Sequence, residues 1–535
     1  MNINMNNVIL NIKQVNYPFM WCYEKAVATI ASYIKRNYEM SFCELWKFDF
    51  NPNQQSFEAI GDKILIKLES QRIQNLLKEY HGIEFKNLTV DNNEVCNIAY
   101  NEIGKGNVIL TEMKTPHFLW DENKSEVKGG YTTLLLVTGF SNQNESFSCI
   151  DLHNNRCGEI EKDLFLNSCN NCTIYDVVGE DISNLSYKYK LQDIINTFYK
   201  SNYYDNSIAA MYDLANIVEN SLDIKSEVNG IDVFNHSQLI SNFDLLMRTR
   251  GLFSLTVKFI AEKYQVNPLI DIYKKFNVAS NLWSMASKVC IKAYYSGKDI
   301  RNIVSEKIRE AADIELDIMN EMSDILNNKR ITSDSMKTTI HSCLNQTVTT
   351  EDKVIYLDLK NFFNNKGFSI NNETNGNIAN FTGLGEYFIN DNIPNVEYWK
   401  TGNMRFKVPV FSECNNDNIL CEGQVIEVPR VIYNTISFLE CSDWGNFTGN
   451  LTINFDDNDC ENIVLKFSDW YGSGENYYQE EIAWIGENID CKLERNKSRI
   501  YASSYEIKSK KPIRYITLPN CPNMHIFAIS LESLR

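Results

Sequence analysis

Residues 188 to 345 constrain this chain most. Apolar residues there recur at three- and four-residue spacing, and from about Asn206 strand alternation is absent. "NSIAAMYDLANIVENSL", "SQLISNFDLLMRTR", "LFSLTVKFIAEKY", "ASNLWSMASKVCIKAYYSG" and "KDIRNIVSEKIREAADIELDIMNEMSDILNN" each carry this period, which marks amphipathic helices that must bury one face. Strand-like segments on either side therefore belong to other units. Before this layer, helical and strand patterns mix. After it, short alternating segments such as "KVPVFSEC", "NLTINFDD", "NIVLKFSDW" and "IRYITLP" are separated by Asn, Asp and Gly turns, the pattern of a β-sandwich. The polar run "NQTVTTEDK" (345–353) reads as a linker. The patterns predict a multidomain α+β protein, with an α+β domain over 1–185, a helical domain over 186–348 and an all-β sandwich over 349–535. A chain of 535 residues is too long for one core.

Within the first unit, "GDKILIKLESQRIQNLLKEYHG" (61–82) has helical spacing and a Gly stop. "GNVILTEM" (106–113), "YTTLLLVTGF" (131–140) and "SFSCIDLH" (146–153) read as strands, the middle one apolar on both faces and so central.

The net charge of −17 argues against nucleic-acid and anionic-membrane partners, which select a basic face. No run has the apolar length of a spanning helix, and "MNINMNNVILNIKQ" lacks the basic and apolar regions of a signal peptide. Fifteen scattered cysteines, an odd number often inside apolar runs, read as free, reduced, buried thiols of a cytoplasmic protein.

One cysteine is different. In "YPFMWCYEKAVATIASYIKRNY" (17–38), Cys22 precedes a helix whose apolar stripe is Ala26, Val27, Ile30, Ala31 and Ile34. A thiol there faces unpaired N–H groups and the positive end of the helix dipole, which favour thiolate. The same groups can stabilise an oxyanion. By residue type alone, Cys22 is equally a small buried hydrophobe.

"WCYEKAVATIASYIKRNYEMSFCELWKF", "LLLVTGF" (134–140) and "SFSCIDLH" together make residues 14–160 similar to the N-terminal domain of the butirosin biosynthesis protein H family. These are papain-like cysteine acyltransferases of bacterial specialised-metabolite (antibiotic, nonribosomal peptide) biosynthesis, in which a helical segment often follows the domain. The resemblance implies a papain-like fold, Cys22 as nucleophile and Asp151 as the residue that orients the base. Where relatives carry their His, this chain has Thr132 and Thr133. His117, in "MKTPHFLWDE", and His153, two residues past Asp151, are the replacements considered, with His117 preferred because it sits in a loop over the cleft. Gln14 and Asn16 are the oxyanion-hole amides, and Thr132 and Thr133 offer hydroxyls to a substrate or a water.

The implied function is acyl transfer or amide formation through acyl-Cys22. An acyl or peptidyl carrier protein would be the donor, an amine or peptide the acceptor, and no cofactor is called for. Two other readings stay open: a cysteine peptidase or amidase, and a non-catalytic peptide- or carrier-binding pseudoenzyme that has lost the family His.

His153, Cys157, Cys169 and Cys172 have a spacing that zinc sites use, although the same thiols fit a helix end, and no metal is assigned. The ending "KFSDWYGSG … IRYITLPNCPNMHIFAISL" is similar to β-sandwich modules appended to bacterial enzymes, some of them carbohydrate-active. Trp444, Trp470 and Trp484 are either a sugar-stacking platform or core aromatics.

Overall fold

A computed structural model describes residues 7–52, 59–89, 92–115, 131–141, 145–153, 155–169, 171–181, 187–199, 203–204, 206–228, 234–326, 353–369, 379–389, 393–394, 396–409, 411, 416–457, 459–471, 477–490 and 494–533. The first unit runs β1 (Val8–Ile9), α1 (Cys22–Tyr33), α2 (Ser70–His81), β2 (Ile83–Thr89), α3 (Asn92–Gly104), β3 (Ile109–Thr115), β4 (Tyr131–Ser141), β5 (Ser146–Asp151), β6 (Arg156–Glu161), α4 (Lys162–Ser168) and β7 (Asn171–Val177). Its strands form one sheet in the order β2-β7-β3-β4-β5-β6, with β1 also on β4, and every pairing is antiparallel.

The strand expected to be central is central. Leu135 and Val137 of β4 pack with Val95, Ala99 and Phe165 on one face. Leu136 packs with Ile150, Leu152 and the α1 stripe on the other. Strand alternation thus puts successive β4 residues into two cores.

Two local readings change. The helix expected over 61–82 is confined to Ser70–His81. Gly61–Lys63 form a short 3-10 turn, and Leu65 N–H donates to the Asp49 carbonyl and Asn51 N–H to that of Lys63, which holds Ile64 extended against Phe50. Gly82 ends the helix in the left-handed region at φ 62, as a C′ glycine does.

The helical layer is α5 (Tyr187–Tyr199), α6 (Ser207–Ser221), α7 (Gln238–Tyr264), α8 (Pro268–Ser296) and α9 (Arg301–Leu326). Two segments read separately, "SQLISNFDLLMRTR" and "LFSLTVKFIAEKY", form the single helix α7, with Gly251 inside it. A Cβ on Gly251 would stand 2.3 Å from the Phe19 ring. The helix therefore accepts glycine, which costs about 1 kcal/mol relative to alanine, to let the chain entering α1 pack on its backbone.

Trp46, Phe48 and Phe50 share one apolar cluster with α5–α9. At its centre Arg250 and Glu315, both fully buried, form two 2.9 Å bonds, and Trp46 donates to Glu315 at 2.8 Å.

From residue 353 the chain is a β-sandwich. The large sheet includes Thr435–Ser442, Glu481–Ile489, Arg495–Glu506 and Asn520–Ser533. Phe438, Ile529 and Leu531 on one face of that sheet belong to the same core as Leu451, Ile453, Leu465 and Phe467 of the four-stranded sheet. Its other face carries an aromatic layer that includes Phe388, Trp399, Trp470, Trp484 and Phe527. Among the described residues no helix is long and apolar enough to cross a membrane.

Candidate active site

The cramped run before α1 is built to start a helix at a chosen residue. Met20 N–H donates to the Tyr17 carbonyl, Phe19 lies against Gly251, and Trp21 is extended, which makes Cys22 the first helical residue. Glu24 accepts the Trp21 N–H at 2.9 Å, the reciprocal half of a capping box. Arg248 of α7 donates to both Glu24 oxygens at 3.0 Å, and its guanidinium lies 3.6 Å from the centre of the Trp21 ring. The helical layer thereby fixes the first turn of α1.

The other half of the site is the turn after β5. Cys22 Sγ lies 3.9 Å from His153 Nδ1. Asp151, fully buried, accepts the His153 main-chain N–H at 2.9 Å and the Thr133 hydroxyl at 3.3 Å. Lys25, one helical turn beyond Cys22, donates to the Leu152 carbonyl at 3.1 Å and to Asn155 Oδ1 at 2.7 Å. Gln14 donates to the same Asn155 oxygen at 3.0 Å. Asn155 has φ 54, a left-handed conformation that asparagine tolerates better than most residues.

The electrostatics correct one expectation. Burial raises the Cys22 pKa, the Lys25 ammonium lowers it and the Asp151 carboxylate raises it, leaving the thiol above its ordinary value. The helix terminus therefore does not leave a resting thiolate, because the half-buried sulfur loses more solvation than its surroundings return. Lys25 shifts downward, chiefly by burial, against the pull of Cys22 and Asp151.

Cys22, Asp151, Gln14 and Thr133 come together as a group. Thr132 is exposed on the neighbouring position of β4, and Asn16 is exposed with no hydrogen bond to the group among the described residues. His117 lies outside the described residues; among those described, the histidine beside the thiol is His153, the less favoured of the two. Asp151 holds that histidine through the main chain. Sequence reasoning missed Lys25 and Asn155. The signal for Lys25 was its i+3 spacing from Cys22, which puts both on one helix face.

The zinc spacing does not form a site. Cys169 and Cys172 are buried in the core below β3 and β7, with burial pushing their thiols up to about 12 and about 11, whereas Cys157 is exposed. Among the described residues no group of three or more His, Cys, Asp or Glu side chains could hold a metal ion, and every cysteine is free. Trp470 and Trp484 are buried core aromatics, and Trp444 donates its indole N–H to the Thr382 carbonyl.

Residues 352–535 match the family model of the AziU2-like beta-sandwich domain. No curated protein matches the chain. Among solved structures, a family GH115 4-O-methyl-alpha-glucuronidase with specificity for decorated arabinogalactans aligns at 10% identity over 66% of this chain and 34% of that one. Its TM-score is 0.15, which carries no fold relationship, and the chain spans about a third of that structure's length.

Proposed function

We propose that the N-terminal unit is a cysteine acyltransferase that works through an acyl-Cys22 thioester with His153 as base. The observation that carries this is the 3.9 Å approach of Cys22 Sγ to His153 Nδ1. A thiol held above its ordinary pKa needs a base at the moment of attack, and an imidazole within reach of the sulfur supplies one. A nucleophile-bearing helix packed on an antiparallel sheet, with the base on the turn that follows one of its strands, also supports a papain-type reading.

In the first half-reaction His153 takes the Cys22 proton as the sulfur attacks the thioester carbonyl of a carrier-bound acyl or peptidyl group. The tetrahedral oxyanion forms near the N–H groups of the first turn of α1. The carbon–sulfur bond to the donor then breaks, and the imidazolium returns its proton to the leaving thiol. In the second half-reaction an amine attacks acyl-Cys22, His153 takes the amine proton, and the Cys22 sulfur leaves and is reprotonated. The first exchange is nearly isoenergetic, thioester for thioester. An open site suits a bulky donor: Trp21 and His153 are exposed and Cys22 is half-buried.

The test is intact mass after incubation with an acyl carrier-protein thioester. One acyl mass on wild type and none on Cys22→Ala supports the proposal. Acylation that persists in Cys22→Ala overturns it.

A further inference from the structure

Resting on the Cys22–His153 dyad proposed above, we infer that Lys25 is the positioning residue of that dyad: its ammonium ties the nucleophile's helix to both flanks of His153 and polarises the gap between them. The geometry is specific. Lys25 is 6% exposed and donates to Leu152 on one side of His153 and to Asn155 on the other. The strand of β5 ends at Asp151, which pairs with Arg156 of β6, and Leu152 N–H donates to the Leu134 carbonyl, so the sheet brings His153 to the site. Bonds from the rigid helix α1 then tie the residues on either side of His153 to the helix that carries the sulfur. Gln14 converges on the same Asn155 oxygen, so the chain before α1 supports the clamp as well.

The charge matters as much as the tether. The groups that face Cys22 are Lys25 and Glu24 on α1, Asp151 at the end of β5, His153 on the turn and Arg248 from α7. Glu24 is engaged by Arg248, which leaves Lys25 to oppose Asp151 at the sulfur. As the thiol gives up its proton, a nearby buried cation stabilises the new anion. The same cation holds the turn in place, so one side chain does both tasks. Its i+3 spacing puts it on the Cys22 side of the helix.

The experiment uses the full chain and a small acyl donor, an acyl N-acetylcysteamine thioester, with the Cys22 acylation rate followed by intact mass across pH. For Lys25→Met the expected result is acylation about tenfold slower near neutral pH, the equivalent of about one unit of thiol pKa, with the rate midpoint moved to higher pH. Lys25→Arg, which keeps the charge and can still donate, is expected to recover most of the rate. A merely structural role would lower the amount of folded protein and leave the midpoint where it was. If wild type and Lys25→Met acylate with the same rate and midpoint, the role of Lys25 is overturned and the dyad stands. If wild-type Cys22 takes no acyl group, the dyad itself fails and Lys25 with it. Should Lys25→Met fail to fold, Asn155→Ala removes one of the two anchors and keeps the ammonium. A several-fold slower rate with an unmoved midpoint then supports the tether, and an unchanged rate overturns it.

Discussion

Two regions of this protein carry the same side-chain types and do opposite things with them. Beside α1 stand Cys22, His153, Asp151, Lys25 and Asn155. In the sandwich stand Cys441, His525, Asp443 and Asn418, joined by Lys292 from α8. Cys441 and His525 are paired directly across neighbouring strands. Lys292 donates to Asp443 at 2.8 Å and to the Pro522 carbonyl at 2.7 Å, and its ammonium lies 3.4 Å from His525 Nε2. His525 Nδ1 is 2.9 Å from Asn418 Oδ1. Both ring nitrogens of His525 are thus occupied inside a sealed interface, and burial pushes the Cys441 thiol well up. At the first site the lysine goes to the main chain and to Asn155, and His153 Nδ1 faces the sulfur. A residue set does not make a nucleophile. Exposure, and what the lysine is bonded to, separate a sealed tie between α8 and the sandwich from the open pair proposed here as reactive.

Breaking the sealed region should have the largest effect. Lys292→Met leaves Asp443 fully buried without its cation, and removing one partner of a buried pair costs about 3–5 kcal/mol. Chemical denaturation should show that loss, while acylation of Cys22 continues. A stability change near zero would mean the pair does not hold the sandwich to α8.

Next, His153→Ala should slow Cys22 acylation by about a hundredfold, within the range of general base catalysis, with stability changed by no more than about 0.5 kcal/mol because the residue is exposed. Equal rates would erase the contrast between the two histidines.

Asp151→Asn keeps an oxygen for the His153 N–H and removes the charge. A smaller loss, about tenfold, is expected in the acylation rate. A turn role without any electrostatic share would leave the rate untouched.

The pH dependence sharpens the comparison from the sealed side. Burial, with help from Lys292, lowers the His525 pKa to about 4 from an ordinary 6.5. The unfolded chain binds the extra proton between those values. The contribution of His525 is therefore fully present above pH 6.5 and is lost as pH falls towards 4, with a slope of about 1.4 kcal/mol per pH unit. Asp417, pushed up to about 6 by burial, acts with the opposite sign, since its folded form holds the proton between 3.8 and 6. Subtracting the stability–pH curve of His525→Gln from that of wild type cancels Asp417 and isolates the histidine. A flat difference would show that His525 is not held neutral by its surroundings. The smallest effect belongs to Asn16→Ala, expected within about 0.5 kcal/mol in stability and without change in acylation rate, as for an exposed residue outside such features.

Much of the scaffold was legible because periodicity reports burial directly. "YTTLLLVTGF" had to be central because apolar residues on both sides of a strand need two cores, and the structure supplies them. The stripe from Ala26 to Ala31 had to face a sheet for the same reason. Local spacing failed where a distant segment competed for the chain. Residues 61–69 look helical, and after a 3-10 turn at Gly61–Lys63 the pairing with 49–51 draws Ile64 and Leu65 out of the helix. Gly251 looks like a break, and the Phe19 ring gives it a reason to stay inside a helix.

For the site, the sequence by itself determined the position of Cys22 at a helix start and of Asp151 on a strand, a strand it read through residue 153 and that the structure ends at Asp151. Both follow from local patterns that need no partner. Among the described residues, only the tertiary structure brought a histidine to the sulfur, because His153 reaches Cys22 across 131 residues of chain through the β5–β6 hairpin. The protonation of the thiol was also a tertiary matter. A helix terminus argues for thiolate wherever it is found, whereas the solvation lost at Cys22 depends on how deeply its tertiary neighbours bury that particular sulfur.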